Sequence, residues 1–458
     1  MATWYVSKAE GADANAGTST SAPKSTPQAA LNSASAGDII EFIDSETYYD
    51  QSGSGHTYTL ADSQERNNLT IRAGTDSDGN KYRPTISGKS INESGSIVGK
   101  YAVQYNHGWT IEGIEFRDFG NSGLIYSAAA IGAIAVRDCS FHHITTREGH
   151  GTAASADSAI LLPNQGDYTT NIIERCIFYE IGARAVSQGG TAGSVTIRNC
   201  LIYSWGGEGG PSAANWNCIL TQNTGSLVEH CIIANGEINP NTTKIPIQLG
   251  SSGSGGTFRY NIVEGITNNA GYPVVQAQTV DRNIIFNCGT PSDAFSGSHI
   301  AAMYEIGNIF DDPLFVNTAS AESTTSNDGT HPDYTVDVYA SPAVNGASGS
   351  TVTDDIRNDG NRRDSHAAGT APTIGCYQVY SDWSSGGAAD DNTEDFIIKT
   401  ISNLSKEYQN ALNKKSAAAP PTAPMKLAVR GPANLRLRPS AYGCSIDGDP
   451  LNIGKDEE

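Results

Sequence analysis

The sequence predicts an all-β solenoid, a stack of short parallel coils, on three observations. A strand motif recurs along the chain, one column of that motif carries charges whose sign alternates, and the composition is rich in turn formers. The recurring motif reads AIAVRDCSF (133–141), NIIERCIFY (171–179), SVTIRNCLIY (194–203), SLVEHCII (226–233), TFRYNIV (257–263) and TVDRNIIF (279–286). NLTIRAG (68–74), WTIEGIEF (109–116) and YEIGNIF (304–310) are less complete copies. The anchors Cys139, Cys176, Cys200, Cys231, Asn261, Asn283 and Asn308 lie 37, 24, 31, 30, 22 and 25 residues apart. Short β-branched strands at an irregular period in the twenties and thirties, between Gly, Asn and Ser turns, are the mark of a β-solenoid. Leucine-rich repeats would need LxxLxL, and propeller blades a period of about 40 or more.

With the partial copies at 68–74 and 109–116 aligned on their TI dipeptide, the residue two before the anchor position runs, up to Asn283, Arg72, Glu112, Arg137, Glu174, Arg198, Glu229, Arg259, Asp281. Equivalent residues of adjacent parallel coils stack about 4.8 Å apart. The column therefore reads as an outward ladder of alternating charge that avoids like-charge repulsion and pins the register of each coil. At about 0.2–1 kcal/mol for each exposed pair, it would set register more than it would stabilise. The alternative is that these arginines are ligands for a substrate. The anchor column changes from Cys to Asn, which suits side chains bonding along the stack, with a small buried thiol replacing the amide; a catalytic or redox cysteine is the other reading. Cys218, Cys288 and Cys376 fall off the column.

Composition bounds the function. The chain has 458 residues, 49 Gly, 20 Tyr, 3 Met and 38 % hydrophobic residues. No run reaches the roughly 18 apolar residues of a membrane span. A formal charge of −20 opposes nucleic acid and anionic membranes as partners, and opposes polyanionic glycans without a bridging cation. The opening MATWYVSKAEG has neither the basic nor the apolar region of a secretory leader. Either the protein is made and used without export, or a leader has been cut. The 8 cysteines show no CxxC or His/Cys metal spacing.

With these residues in place, the chain resembles the right-handed parallel β-helix proteins of the pectate-lyase-like superfamily. YVSKAEGADANAGTSTSAPKSTPQAALNSASAGDIIEF (5–42) looks like the family's N-terminal opening, with Gly11, Asp13, Asn15, Gly17, Pro23, a short helix over Pro27–Asn32, and Gly37-Asp38 before the first strand. RPTISG (83–88) looks like its first-coil turn. DDPLFVN (311–317), ASPAVNGAS (340–348), DDIRNDGNRRD and APTIGCYQ (371–378) resemble the closing segment of many bacterial and phage members. The resemblance spans about residues 4–380 and implies a right-handed parallel β-helix over 1–380; a short C-terminal helix and an extended tail, read from the residues beyond, complete the expected fold. Its motifs are framework and cap, and a fold does not name an activity.

Beyond residue 380 the composition shifts. Residues 381–392 read as a linker and 393–415 as an amphipathic helix whose Ile397, Ile401, Leu404 and Tyr408 form a short seam, packed back or self-associating, with a homo-trimer as one outcome. Residues 416–458 read as an extended arm after a stiff APPTAP spacer. Lys426, Arg430, Arg436 and Arg438 make its first part basic, either a docking arm or a disordered end.

For chemistry, FRDF (116–119), FHHI (141–144) and FYEI (178–181) stack Asp118, His143 and Glu180 on successive coils. Two carboxylates and an imidazole within about 10 Å suit general acid/base work on a glycosidic bond, and a polar outward ladder is the alternative. Long insertions offer Arg147, Glu148 and His150 (145–167), and Glu208 and Trp216 (204–217), as glycan-binding groups; Trp205 sits at a core position. No metal site and no cofactor is expected, except that a lyase of the resembled family would bring Ca²⁺ and an Arg or Lys base; the lyase motifs do not match residue by residue. TDSDGN (75–80) and DDIRNDGN (354–361) lack the full ligand spacing of calcium loops. Two functions follow. One is a phage virion surface protein (tailspike, fibre or capsid decoration) assembled in the host cytoplasm, joined to other virion proteins through its C-terminal segment and binding host-surface polysaccharide. The other is a secreted polysaccharide lyase or glycoside hydrolase.

Overall fold

The protein, seen in a computed structural model, is described for residues 1–50, 58–62, 64–90, 101–106, 108–120, 122–126, 133–144, 158–162, 170–182, 184–188, 193–206, 217–236, 245–250, 255–266, 274–288, 307–317, 333–336, 341–343, 347, 350, 374–375, 427–428, 436–440 and 443–446. Three all-parallel sheets of ten, nine and eight strands run the length of a right-handed parallel β-helix. Each coil visits them in turn: Ala135–Arg137 lies in the first sheet, Ser140–Ile144 in the second and Ser158–Leu162 in the third. Inward residues stack into one core. Phe116, Phe141 and Phe178 are fully buried, with ring centroids 5.1 and 5.0 Å apart and planes within 15° and 9°.

The first and second sheets meet at a two-residue corner. Its first residue is left-handed in every described coil from Gly113 onward: Gly113 (φ 72°), Asp138 (54°), Arg175 (54°), Asn199 (53°), His230 (52°), Tyr260 (58°), Arg282 (50°) and Gly307 (81°). The second is the anchor, and the structure explains its change of residue type. The thiols of Cys139, Cys176, Cys200 and Cys231 donate at 3.7 Å to the carbonyls of Ile111, Val136, Ile173 and Ile197 in the preceding coil. The Asn261, Asn283 and Asn308 amides donate to the equivalent carbonyls of Val228, Phe258 and Val280 at 2.9–3.0 Å. Each Asn oxygen also accepts the backbone N–H of the anchor one coil earlier, at 2.9 Å. Burial pushes the thiols of Cys139, Cys176 and Cys200 far above their ordinary range, so these are inert framework groups. Cys288, off the column, plays the same part at another corner, donating to the Val263 carbonyl, and burial lifts its thiol to about 12.

The charge ladder holds in register. Strand pairing places Glu41, Arg72, Glu112, Arg137, Glu174, Arg198, Glu229, Arg259 and Asp281 in one line, adding Glu41 to the expected series. Two acidic rungs depart from the exposed picture, because Glu174 and Glu229 are buried. Arg137 and Arg198 both reach Glu174 at 2.5 Å, and Arg175, which pairs with Asp138 at 2.7 Å, approaches the same carboxylate at 3.5 Å. Burial opposes ionisation of Glu174, but the arginines outweigh it and hold the carboxyl below its ordinary range.

The N-terminal opening is a cap. Thr26 caps the helix Pro27–Ser33, accepting from Ala29 N, while Asp13 accepts from Ser25 N and Thr26 N. Pro27, Ala30 and Leu31 face the core. Gly11 is required by a close approach: a Cβ there would meet the Ser7 and Lys24 carbonyl oxygens at 2.2 and 2.4 Å. RPTISG departs from the expected turn, since Thr85–Ser90 is a strand of the second sheet. TDSDGN is a tight turn in which Asp76 accepts from Asp78 N, Asn80 N and Asn80 Nδ2; 354–361 lies outside the described residues.

Contacts divide the chain into two units, 1–337 with 341–380, and 338–340 with 381–458. The expected linker and amphipathic helix lie outside the described residues. Within 416–458, expected as an extended arm, Leu427–Ala428, Arg436–Ser440 and Gly443–Ile446 form a three-stranded antiparallel sheet.

Candidate functional site

The second sheet carries the chemistry on its outer face. Each of its central strands runs inward, outward, left-handed, inward. In Phe141-His142-His143-Ile144, Phe141 and Ile144 enter the core, and His143 at φ 51° supplies the extra residue that breaks the two-residue alternation. Asp118 (φ 62°), Glu180 (50°), Ser204 (49°), Asn235 (50°) and Asn287 (51°) hold the same place in their coils. An extra left-handed residue lets two consecutive side chains leave by the same face. Asn, Asp and Gly tolerate that conformation, whereas Glu180 is held there against its preference.

The outer face changes character along the helix. Its outward positions are Thr85, Glu115, Ser140, then Ile177, Leu201, Ile232, Ile262, Ile284; the neighbouring column is Ser87, Arg117, His142, Tyr179, Tyr203, Ala234. The apolar stretch is covered by the closing segment: Ala343, Ala347 and Ile374 pack on Tyr179, Leu201, Tyr203, Ile232, Ile262 and Ile284. Gly375 N donates to Tyr260 O at 2.9 Å. What remains, over residues 85–181, is a polar cluster.

Within it, His143 Nε2 lies 2.7 Å from Glu180 Oε2, and both side chains are 39 % exposed. The Nδ1 atoms of His143 and His142 are 2.7 Å apart, and His142 Nε2 lies 2.8 Å from Glu115 Oε1. Tyr179 stacks on His142 at 4.5 Å and 7°, and Tyr203 stacks on Tyr179. Asp118 is buried beside Ser87 Oγ (3.2 Å), Lys89 Nζ (3.5 Å) and Arg117 Nε (3.7 Å). Burial lowers the basicity of His142 despite Glu115. Burial also disfavours the charged form of His143, but Glu180 overcomes it and leaves His143 raised. Burial and the nearby Glu115 push the Tyr179 hydroxyl up, which keeps it protonated.

The expected column of Asp118, His143 and Glu180 is thus brought together on consecutive coils, with the three roles distributed unequally. Asp118 is committed to cationic partners, and Glu180 is the carboxylate nearest the surface. Sequence reasoning missed Glu115, Arg117 and His142; the doubled histidine of FHHI was the available signal. Trp205 is buried in the core, as its strand position implied. Arg147, Glu148, His150, Glu208 and Trp216 lie outside the described residues. So do Lys426 and Arg430, while Arg436 and Arg438 fall on the strand Arg436–Ser440. Among the described residues no three His, Cys, Asp or Glu side chains converge to hold a metal ion.

The structure is similar to that of pectate lyase Pel9A, with a TM-score of 0.51 and 15 % identity over 83 % of this chain and 97 % of that one. The two share the parallel β-helix fold. A rhamnogalacturonan lyase (TM-score 0.40, 11 % identity, 69 % of this chain and 91 % of that one) and an alginate lyase from Paenibacillus sp. str. FPU-7 (0.32, 13 %, 62 % and 94 %) are more distant. No protein-family model matches the chain, and no curated protein matches it in sequence.

Proposed function

We propose that this is a carbohydrate-active β-helix, a polysaccharide lyase or glycoside hydrolase in class, whose working surface is the outer face of the second sheet over residues 85–181. The observation that carries the reading is the His143–Glu180 pair, half-exposed on left-handed backbone beside a buried set of compensating charges. Imidazoles of opposed basicity beside a half-exposed carboxylate are a feature of sites built for proton transfer. A rigid, register-locked face suits an extended polymer, and the named lyases of the same fold act on such chains. Glu180 takes the role of proton-transfer group; Asp118, with Lys89 and Arg117, fixes the local charge. The test is cleavage of polygalacturonate, rhamnogalacturonan and alginate, with and without Ca²⁺, read both as unsaturated products and as reducing ends, alongside glycan-array binding. Glu180→Gln should lower any activity at least about 100-fold, the scale of a lost acid/base group. A wild type that neither cleaves nor binds any glycan overturns the reading.

A second reading, a phage virion surface protein that binds host glycans through this face, is favoured by the separate C-terminal unit with its own antiparallel sheet carrying Arg436 and Arg438. In that reading the unit attaches the solenoid to other virion proteins or trimerises it. Light scattering of the full chain against a truncation at residue 385 tests this: a trimer that becomes a monomer supports it, and two monomers overturn it.

A further inference from the structure

The chain Glu115–His142–His143–Glu180 links a buried carboxylate to a surface one through two imidazoles, and its geometry fixes how many protons it can hold. A 2.7 Å separation between two Nδ1 atoms accommodates one hydrogen: with none the lone pairs repel, and with two the hydrogens collide. His142 Nε2 is hydrogen-bonded to Glu115 Oε1 at 2.8 Å and so carries its own hydrogen; His143 Nε2 lies 2.7 Å from Glu180 Oε2, an ion-pair contact in which a bare nitrogen lone pair would repel the carboxylate, so it is protonated too. The pair therefore holds three ring protons and one positive charge.

Electrostatics reaches the same count independently. Lys89 and Arg117 supply two positive charges, and Glu115, Asp118 and Glu180 three negative ones. One shared proton makes the cluster neutral, which matters because Glu115, Asp118 and His142 are buried. Tyr179, stacked on His142 and edge-on to His143 at 6.4 Å, adds no charge.

We propose that His142 and His143 share a single proton across their Nδ1 atoms and act as a proton reservoir for Glu180. The group of this face that exchanges a proton with water or a bound glycan is then the Glu180 carboxylate, because both nitrogens of His143 are engaged. His142, His143 and Glu115 are positioning residues. The proton inventory stands on geometry and charge balance; only its use in catalysis rests on the carbohydrate-active reading. When Glu180 accepts a proton, the shared proton can shift toward His142 and Glu115, and it returns when Glu180 releases its own.

The test is ¹⁵N NMR of full-length protein labelled at histidine, with the two rings assigned through His143→Gln. At neutral pH the expected result is two protonated Nε2 atoms and two Nδ1 resonances midway between the protonated and bare positions. On titration the pair should keep its one shared proton, and so its three ring protons, on both sides of the ordinary histidine value of about 6.5, and should take up a fourth only well below it. Glu115→Gln should lower the pH at which the shared proton is lost by about one unit, the scale of removing one adjacent carboxylate. Two rings that titrate independently near 6.5, or a bare Nε2 at neutral pH, overturn the proposal; if the variant does not fold, the wild-type spectrum decides. No substrate enters the measurement, so it can fail while glycan activity stands, and the reverse.

Discussion

Glu174 is where the charge ladder makes its largest claim. Its side chain is 4 % exposed, and it receives Arg137 and Arg198 from the coils on either side at 2.5 Å, with Arg175 at 3.5 Å. Removing one member of a buried ion pair costs about 3–5 kcal/mol. The two flanking arginines keep 32 and 35 % of their side chains in water, so solvent screening reduces this to about 2–3 kcal/mol for Glu174→Gln. Glu174→Arg would add two like-charge contacts at about 4.8 Å, each worth about 3 kcal/mol at an effective dielectric near 20, for a total above about 5 kcal/mol. With an unfolding entropy of about 2.1 cal/mol/K per residue, a unit of roughly 380 residues melting as one loses about 1 °C for each 0.8 kcal/mol. Thermal unfolding followed by circular dichroism should then show Tm lower by about 3 °C for Glu174→Gln and by about 6 °C or more for Glu174→Arg. The Glu174→Arg deficit should shrink between about 10 mM and 500 mM salt as the Debye length falls from about 30 Å to a few ångströms. The pH dependence has a definite sign. The folded carboxyl titrates below its ordinary value, so the wild type's advantage over Glu174→Gln is whole above the ordinary glutamate range and is lost as pH falls through the lowered value. A Glu174→Arg protein that melts within about 1 °C of wild type in low salt would refute the reasoning.

Asn283→Ala removes the acceptor of Asn261 N and the donor to Phe258 O, so denaturant unfolding should show a loss of about 2–4 kcal/mol. Cys231→Asn, which extends the amide ladder by one coil, should change stability by less than about 1.5 kcal/mol. Native protein treated with Ellman's reagent should leave Cys139, Cys176, Cys200, Cys218, Cys231 and Cys288 unmodified, all six being buried, and peptide mapping after alkylation will show it. Phe141→Ala, at the middle of the Phe116–Phe141–Phe178 stack, should cost about 3–5 kcal/mol.

The framework was legible because each coil repeats the same physical demand. Alternating charge two places before the anchor reported the pairing register directly, and the Cys-to-Asn column marked donors to one carbonyl row. The left-handed column of the second sheet was less legible. Asp118, His143, Glu180 and Ser204 share no residue type, so nothing in FHHI or FYEI says that two adjacent side chains leave by one face. For that reason His142 was missed, and with it the link from Glu180 to Glu115. The third arginine near Glu174 was also hidden: Arg175 pairs with Asp138 at 2.7 Å and approaches Glu174 at 3.5 Å, a contact outside the ladder column. That Ala343, Ala347 and Ile374 lie along the second sheet is a long-range contact, and no local pattern encodes it.

The alternating ladder also imposes a rule of parity on the length of the solenoid. Excising the single coil that carries Glu174 would set Arg137 against Arg198, and duplicating it would set glutamate against glutamate; either edit creates a like-charge rung inside a sheet. Interior coils can be gained or lost without that penalty only in twos. The charge column therefore behaves as an error check on tandem duplication, passing even changes and rejecting odd ones. Anyone lengthening or shortening this helix by design should count in pairs.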